Sequence, residues 1–351
     1  VSLLKVVGIC SLVAVLIVCK HVVTSRTRWE RVVDLWVLIA LVSATANLIG
    51  VVLFFVGFRE PNTNPFIGNY GSLPRVDLPR VHGFFPSWNM YANYLCVGVL
   101  LLAARHQSYR ERFGILPVAG AAIAILGALA FTLSAQIGAL AVGVIVFVAV
   151  GRAFPKWPSR LVIFSSACIA GLLLFVSIFQ IVPRGQGIPM LGPLGDVKLV
   201  DSARVVIWAA ALKTYSEHPL TGAGAGEEVA TVRNEYFSQG LKHPRKEMRL
   251  QAHNTYIGLL AEMGPLALVA FGLLLWRVFR GLGKPPSEPK ERSLYAGLLA
   301  VLLGPILYGG IFAGLEDSRH VWLFLGLAVA APLLGATETT PKDGYNHRAG
   351  A

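Results

Sequence analysis

Residues 115–151 read ILPVAGAAIAILGALAFTLSAQIGALAVGVIVFVAVG, a run without one charged side chain. A hydrocarbon core about 30 Å thick takes roughly 20 helical residues, so the run is too long for one crossing and too apolar for a soluble core. Its polar interruptions, Thr132, Ser134 and Gln136, predict a tight turn joining two spans. Windows of the same kind recur at approximately 3–19, 35–58, 87–104, 115–133, 136–151, 160–182, 254–276, 293–313 and 320–336. The predicted fold class is therefore all-α: a polytopic membrane helix bundle of about nine spans with a partly helical external loop domain.

Composition agrees. Of 351 residues, 55% are hydrophobic and only 14% charged, whereas a soluble domain carries about 25% charge and a disordered chain more still. Lys and Arg number 31 against 19 Asp and Glu, a net charge of +12. In a membrane protein that excess reads first as topology, not as a nucleic-acid footprint. Lys20, Arg26, Arg28, Arg31, Arg105, Arg110, Arg112, Arg152, Lys156, Arg160, Arg277, Arg280, Lys284, Lys290 and Arg292 fall in one set of alternate loops. Among the short loops, the opposite set holds only Arg59, Arg75, Arg80 and Arg319, the long loop 183–252 being left out of the count because long loops translocate largely regardless of charge. Basic loops stay inside, so the first set is cytoplasmic and the loops 59–86, 183–252 and 314–319 are external. The first span lacks a small-x-small cleavage site, and its external start with Val1 predicts that further spans precede it. Cys10, Cys19, Cys96 and Cys168 lie in or beside apolar windows without paired spacing, which supports neither a disulfide framework nor zinc.

The expected organisation is membrane helices over 1–182, a large external loop over 183–252, membrane helices over 253–336 and a cytoplasmic tail over 337–351. Within the loop, Asp201 or Ser202 is placed to cap a helix running to about Tyr215, with Arg204, Trp208, Leu212 and Tyr215 on one face and His218-Pro219 ending it. The glycine stretch Gly222–Gly226 lacks the Lys-Ser/Thr ending of a P-loop and reads as a turn passing close to something. A second helical piece is expected around 227–239.

Several side chains carry two readings. Asn254 can cap the following helix with His253 a plain interfacial residue, or His253 can act as a general base near neutral pH. Arg204 can be solvated or paired with Asp201, or can clamp phosphate oxygens bidentately. Arg245 and Arg249, in the basic cluster with Lys242, His243 and Lys246, admit solvation, substrate phosphate or lipid head groups. Glu262 reads as an intramembrane carboxylate, either functional or paired with a neighbouring helix. Arg80, His82 and Asn89 gather where a loop enters the third span; Glu316, Asp317, Arg319 and His320 gather between the last two.

The run from His253-Asn254-Thr255-Tyr256 through Glu262-Met263-Gly264-Pro265-Leu266 resembles the His-Asn…Leu…Glu-x-Gly signature of the O-antigen ligase and polymerase superfamily. Arg204 with Trp208, then His218-Pro219-Leu220-Thr221-Gly222-Ala223-Gly224, is similar to its Arg…Trp…His-Pro-Leu-x-Gly-x-Gly stretch. Gly83-Phe84-Phe85-Pro86-Ser87-Trp88-Asn89 with Tyr94-Leu95 is similar to a third, weaker element. The resemblance implies an inverting, metal-independent glycosyltransferase of the bacterial inner membrane that needs no cofactor. It moves a glycan from undecaprenyl diphosphate to an acceptor hydroxyl on the periplasmic side. It implies His253 as the base and Arg204 as a diphosphate contact; Arg80, Asn89, Gln136, Arg245, Arg249 and Glu262, by their position and chemistry, are the substrate-binding candidates. The acceptor would be lipid A core, a growing glycan, or a protein, as in ligases, polymerases and protein O-oligosaccharyltransferases respectively; an anion transporter is the rival class. One departure stands out: many members carry Ser-Arg after the paired apolar spans, where this chain has Ala135-Gln136, leaving Arg80, Arg75 or the 245–249 cluster to compensate.

Overall fold

Ser25 and Ser87 each begin a long helix by accepting a hydrogen bond from the backbone N–H three residues on, at Arg28 and Met90. The computed structural model describes residues 2–59, 64–67, 78–85, 87–151, 156–183, 189–194, 197–201, 203–226, 228–233, 247–314 and 319–336. In chain order these form α1 (Ser2–Val22), α2 (Arg26–Phe55), α3 (Trp88–Ala104), α4 (His106–Phe113), α5 (Ile115–Ala130), α6 (Ile137–Gly151) and α7 (Lys156–Ile178). Then come β1 (Phe179–Pro183), β2 (Pro189–Leu194), β3 (Val197–Asp201), α8 (Ala203–Glu217), β4 (Ala230–Arg233) and β5 (Glu247–Leu250). The chain continues with α9 (Thr255–Met263), α10 (Pro265–Leu282), α11 (Pro289–Gly304), a π-helical turn (Pro305–Gly309), α12 (Gly310–Phe312) and α13 (Arg319–Ala336).

Each of the nine apolar windows contains an apolar helix. Four helical stretches, Arg26–Phe55, Pro158–Ile178, Pro265–Leu282 and Pro289–Phe312, are long and apolar enough to cross a membrane by themselves; among the described residues, Cys10–Val22, Trp88–Ala104, Ile115–Ala130, Ile137–Gly151 and Arg319–Ala330 are shorter apolar stretches. The turn expected near 132–136 does separate α5 from α6.

Helices in a bilayer gain little from hydrophobic exclusion and associate through close packing at small residues. α11 lies tightly against α6 and α3. A side chain at Gly304 would come within 2.4 Å of the Ala139 carbonyl, and one at Gly297 within 2.4 Å of the Ala104 Cβ. α2 and α3 run antiparallel, because Tyr91 near the start of α3 meets Ser43 and Asn47 late in α2, while Arg105 after α3 meets Asp34 early in α2. The bundle thus has an end containing Asp34 and Arg105 and an opposite end containing Asn47, Tyr91 and the 131–136 turn.

The loop over 183–252 is partly helical and also carries strands, and one expectation about it needs correction. β1, β3 and β2 form an antiparallel sheet in that order, and β4 pairs antiparallel with β5. The helix expected around 227–239 is, over its described part, the strand β4: Ala230 and Val232 are buried while Thr231 between them is exposed, the period-two pattern of a half-buried strand. The seventh window is likewise not one helix. Gly264, at φ +76°, ends α9, and Pro265 starts α10, as expected where a left-handed glycine meets a proline at the first helical position.

Candidate functional site

α8 begins at Ala203 and stops at Glu217, directly before His218-Pro219. Its buried stripe is Ile207 and Ala211, packed with Val229, Ala230, Val232, Ala252 and Ala261 into a small core of its own. Arg204 and Trp208 lie beside that stripe and turn toward the end of α11. The Arg204 guanidinium stacks over the Phe312 ring at 4.8 Å, and Trp208 and Tyr308 approach the same ring with centroids 6.4 and 5.1 Å away. Burial holds the Arg204 pKa below the ordinary guanidinium value.

Arg80 is held from the other side. Its Nε donates to the Thr132 carbonyl and its Nη2 to the Leu133 carbonyl, both at 3.0 Å, and its guanidinium lies 3.8 Å from the Trp88 ring centroid. Those two bonds engage two of five N–H donors. Burial, and then the positive charge of Arg204, push the Arg80 pKa down to about 10, so both groups remain cationic at neutral pH. Two desolvated cations that repel one another create a local demand for an anion.

The turn that Arg80 grips is strained. Leu133 has φ +48°, and His253, at φ +47°, is the other non-glycine residue with positive φ among the described residues. A left-handed conformation at such residues costs of order 1–3 kcal/mol and concentrates at functional sites. Beyond Leu133, the Ser134 hydroxyl donates to Asn89 Oδ1 at 2.7 Å and accepts from the Gln136 N–H at 3.1 Å. Gln136 is fully buried; its Nε2 is 3.5 Å from the Gly309 carbonyl, while its Oε1 has no partner among the described residues. Arg80, Asn89, Gln136 and Arg204 are thereby gathered around one turn and one helix end.

His253 is exposed and immediately precedes α9. Asn254 caps that helix, its side-chain oxygen accepting from the Tyr256 and Ile257 N–H groups at 3.0 Å each. The Thr255 hydroxyl donates to the Ala313 carbonyl at 2.8 Å, next to the Phe312 that carries Arg204. The start of α9, and His253 with it, is thus pinned to the same region of α12. Tyr256 tightens this junction, its hydroxyl bonding the Ile306 carbonyl.

Glu262 sits near the end of α9, directly before the Gly264-Pro265 break that separates it from the apolar stretch Pro265–Leu282. Its carboxylate accepts from the Gly226 N–H at 2.9 Å. The glycine stretch lies across the end of α9, with the Ala223 and Gly224 N–H groups donating to the carbonyls of Ala261 and Glu262 at 2.8 and 2.9 Å. Arg249 is exposed on β5, opposite Thr231, and no described contact joins it to Arg80 or Arg204. Arg245, Arg75, Lys242, His243, Lys246, Glu316 and Asp317 lie outside the described residues. Among the described residues, no three His, Cys, Asp or Glu side chains come together as a metal site.

Sequence reasoning missed Tyr308 and Phe312. The signal was Pro305 inside the eighth apolar window, followed by Gly309-Gly310: proline removes a helix donor, and π-turns recur at functional sites.

Residues 119–272 match the family model described as O-antigen ligase. Over these residues the chain is similar to the O-antigen ligase family, in line with the resemblance read from its motifs. The match runs from α5 through α10 and takes in Gln136, Arg204, Arg249, His253 and Glu262; Arg80, Tyr308 and Phe312 lie beyond it. No curated protein and no solved structure matches the chain. The similarity to the O-antigen ligase family and the apolar helices together support a multi-pass membrane protein of ligase- or polymerase-like function.

Proposed function

We propose that the protein is an inverting glycosyltransferase that moves a glycan from undecaprenyl diphosphate to an acceptor hydroxyl at the periplasmic face of the bacterial inner membrane. The observation that carries this reading is the pair of half-buried guanidiniums, Arg80 and Arg204, facing one region that the strained 131–136 turn and the start of α9 also border. A leaving diphosphate supplies the anion that such a pair demands, and fixed donors at a developing charge are the largest single contribution to many transfer reactions.

In the reaction, the acceptor oxygen bonds to the anomeric carbon from the face opposite the diphosphate. The bond from that carbon to the phosphate oxygen breaks, and undecaprenyl diphosphate departs with the electron pair. His253 takes the acceptor proton; Arg204 and Arg80 hold the phosphate oxygens. In this reading Arg80 supplies the charge that Ala135-Gln136 does not, since it bonds the carbonyls of the same turn. Gln136 and Asn89 shape that turn, Glu262 secures α9, and Arg245 and Arg249 attract the anionic donor from outside. The acceptor is lipid A core, a growing glycan or a protein.

The test is transfer of labelled glycan from undecaprenyl diphosphate by the purified chain, across a panel of acceptors. Wild type transfers and His253→Ala does not, with equal membrane insertion. Equal transfer by both proteins removes the base assignment. Donor binding without transfer to any acceptor, by wild type and variant alike, favours an anion carrier.

A further inference from the structure

At the end of the bundle remote from Arg80, α2, α3, α4 and α5 enclose a half-open groove of about 370 Å³. Its walls are apolar, formed by Val37, Leu41, Leu102, Val118 and Ala121. The surrounding surface is equally apolar, with Leu38 and Leu116 exposed. Arg112 stands at the rim, leaning over the Phe113 ring at 5.0 Å and forming no ion pair among the described residues. The carboxylate that also borders the groove, Asp34, is already engaged: Arg105 donates to it at 3.2 and 3.3 Å and the Tyr109 hydroxyl at 2.6 Å. The groove therefore presents hydrocarbon walls and one uncompensated cation.

α4 fixes the depth of that cation. Its sequence HQSYRERF is polar, it buries no residue, and it joins two apolar helices, which places it at the interface between hydrocarbon and water. Arg112 then stands at head-group level, with the groove running into the hydrocarbon beneath it. Arg110, on the same turn, adds to the positive field at this end, while Lys290 is neutralised by its ion pair with Glu111. A water-soluble ligand has no reason to enter walls that face acyl chains, and a zwitterionic lipid leaves Arg112 uncompensated.

We propose that this groove binds one anionic glycerophospholipid, an acyl chain lying against Leu41, Leu102 and Val118 and the phosphodiester on Arg112. The site is separate from the proposed transferase centre and does not depend on it. Charge attraction of a single Lys or Arg to an anionic surface corresponds to about a fivefold preference.

The experiment is native mass spectrometry of the purified full chain in mild detergent, titrated with phosphatidylglycerol or with phosphatidylcholine of the same chain length. Wild type takes up the first phosphatidylglycerol about fivefold more readily than phosphatidylcholine. Arg112→Gln equalises the two lipids, while Arg112→Lys, which keeps the charge, keeps the preference. Ala121→Phe fills the groove and lowers occupancy by either lipid. Equal uptake of both lipids by wild type, a preference that survives Arg112→Gln, or first-lipid occupancy unaltered in Ala121→Phe each overturns the proposal.

Discussion

Tyr308 is 4% exposed, and its hydroxyl has no hydrogen-bond partner among the described residues. A buried unpaired polar group costs about 1–3 kcal/mol, and this one shares the Phe312 ring with Arg204. A hydroxyl kept at that cost beside a desolvated guanidinium is suited to donate to a bound anion. Tyr308→Phe should therefore leave the melting temperature unchanged or raise it, while weakening binding of inorganic pyrophosphate about tenfold, the effect of losing one hydrogen bond to a charged group. A lowered melting temperature with unaltered binding would make the hydroxyl structural. Arg204→Lys should lose most transfer activity with little change in stability, because a point charge lacks the planar fork that engages two phosphate oxygens; labelled-glycan transfer measures it. His253 and Arg204 were legible in the sequence because each stands in a motif with polar neighbours. Tyr308 was not, because in an apolar window a tyrosine counts as another large hydrophobe and only Pro305 marks the distortion that positions it.

The glycine strap and α9 form the element on which the proposed base depends. Gly222, at φ +67°, lies so close to α9 that a Cβ there would meet the Glu262 carbonyl carbon at 2.4 Å. Gly222→Ala thus combines a left-handed non-glycine residue with a clash against backbone, and should cost about 3 kcal/mol, read as a lower thermal midpoint in detergent. Glu262→Gln keeps an oxygen that can accept from the Gly226 N–H, so it should retain most stability and transfer. Glu262→Ala leaves that N–H unpaired and should lose about 1–3 kcal/mol. If Glu262→Gln instead abolishes transfer while the protein melts normally, the carboxylate charge takes part in the reaction. The close approach of Gly222–Gly226 to another part of the chain was readable from composition, since only glycine permits it. The break just beyond Glu262 was not: averaging hydropathy over 254–276 hides Gly264-Pro265, where local backbone chemistry outweighs apolar content. The β-strands were missed for a related reason, because β4 and β5 are four residues each and too short to outweigh their surroundings in a window.

Across the whole molecule the two ends of the bundle are built on opposite principles. At one end Arg105 bonds both Glu30 and Asp34, Arg26 bonds Glu30 and Glu291, and Lys290 bonds Glu111, tying α2, α4 and α11 together around the start of α4. At the other end, among the described residues, Arg80 and Arg204 face each other without such compensation, and Gln136 and Tyr308 hold unpaired polar atoms. The ionic end supplies rigidity; the opposite end retains the unsatisfied groups that a ligand would complete. α11 connects the two, with Ser293 bonded to the Ala104 carbonyl near its start and the π-turn carrying Tyr308 at its far end. This division predicts that disrupting the ionic end changes stability without changing chemistry. Arg105→Gln strands the carboxylates of Glu30 and Asp34 and should lower stability by about 2 kcal/mol, the scale of a charge-assisted hydrogen bond. Thermal melts in detergent would show that loss, while transfer measured well below the new midpoint should match wild type per folded molecule. If transfer falls in step with Arg80→Gln although the protein remains folded, the two ends are coupled through α11, and the ionic cluster acts on the site as well as on the fold.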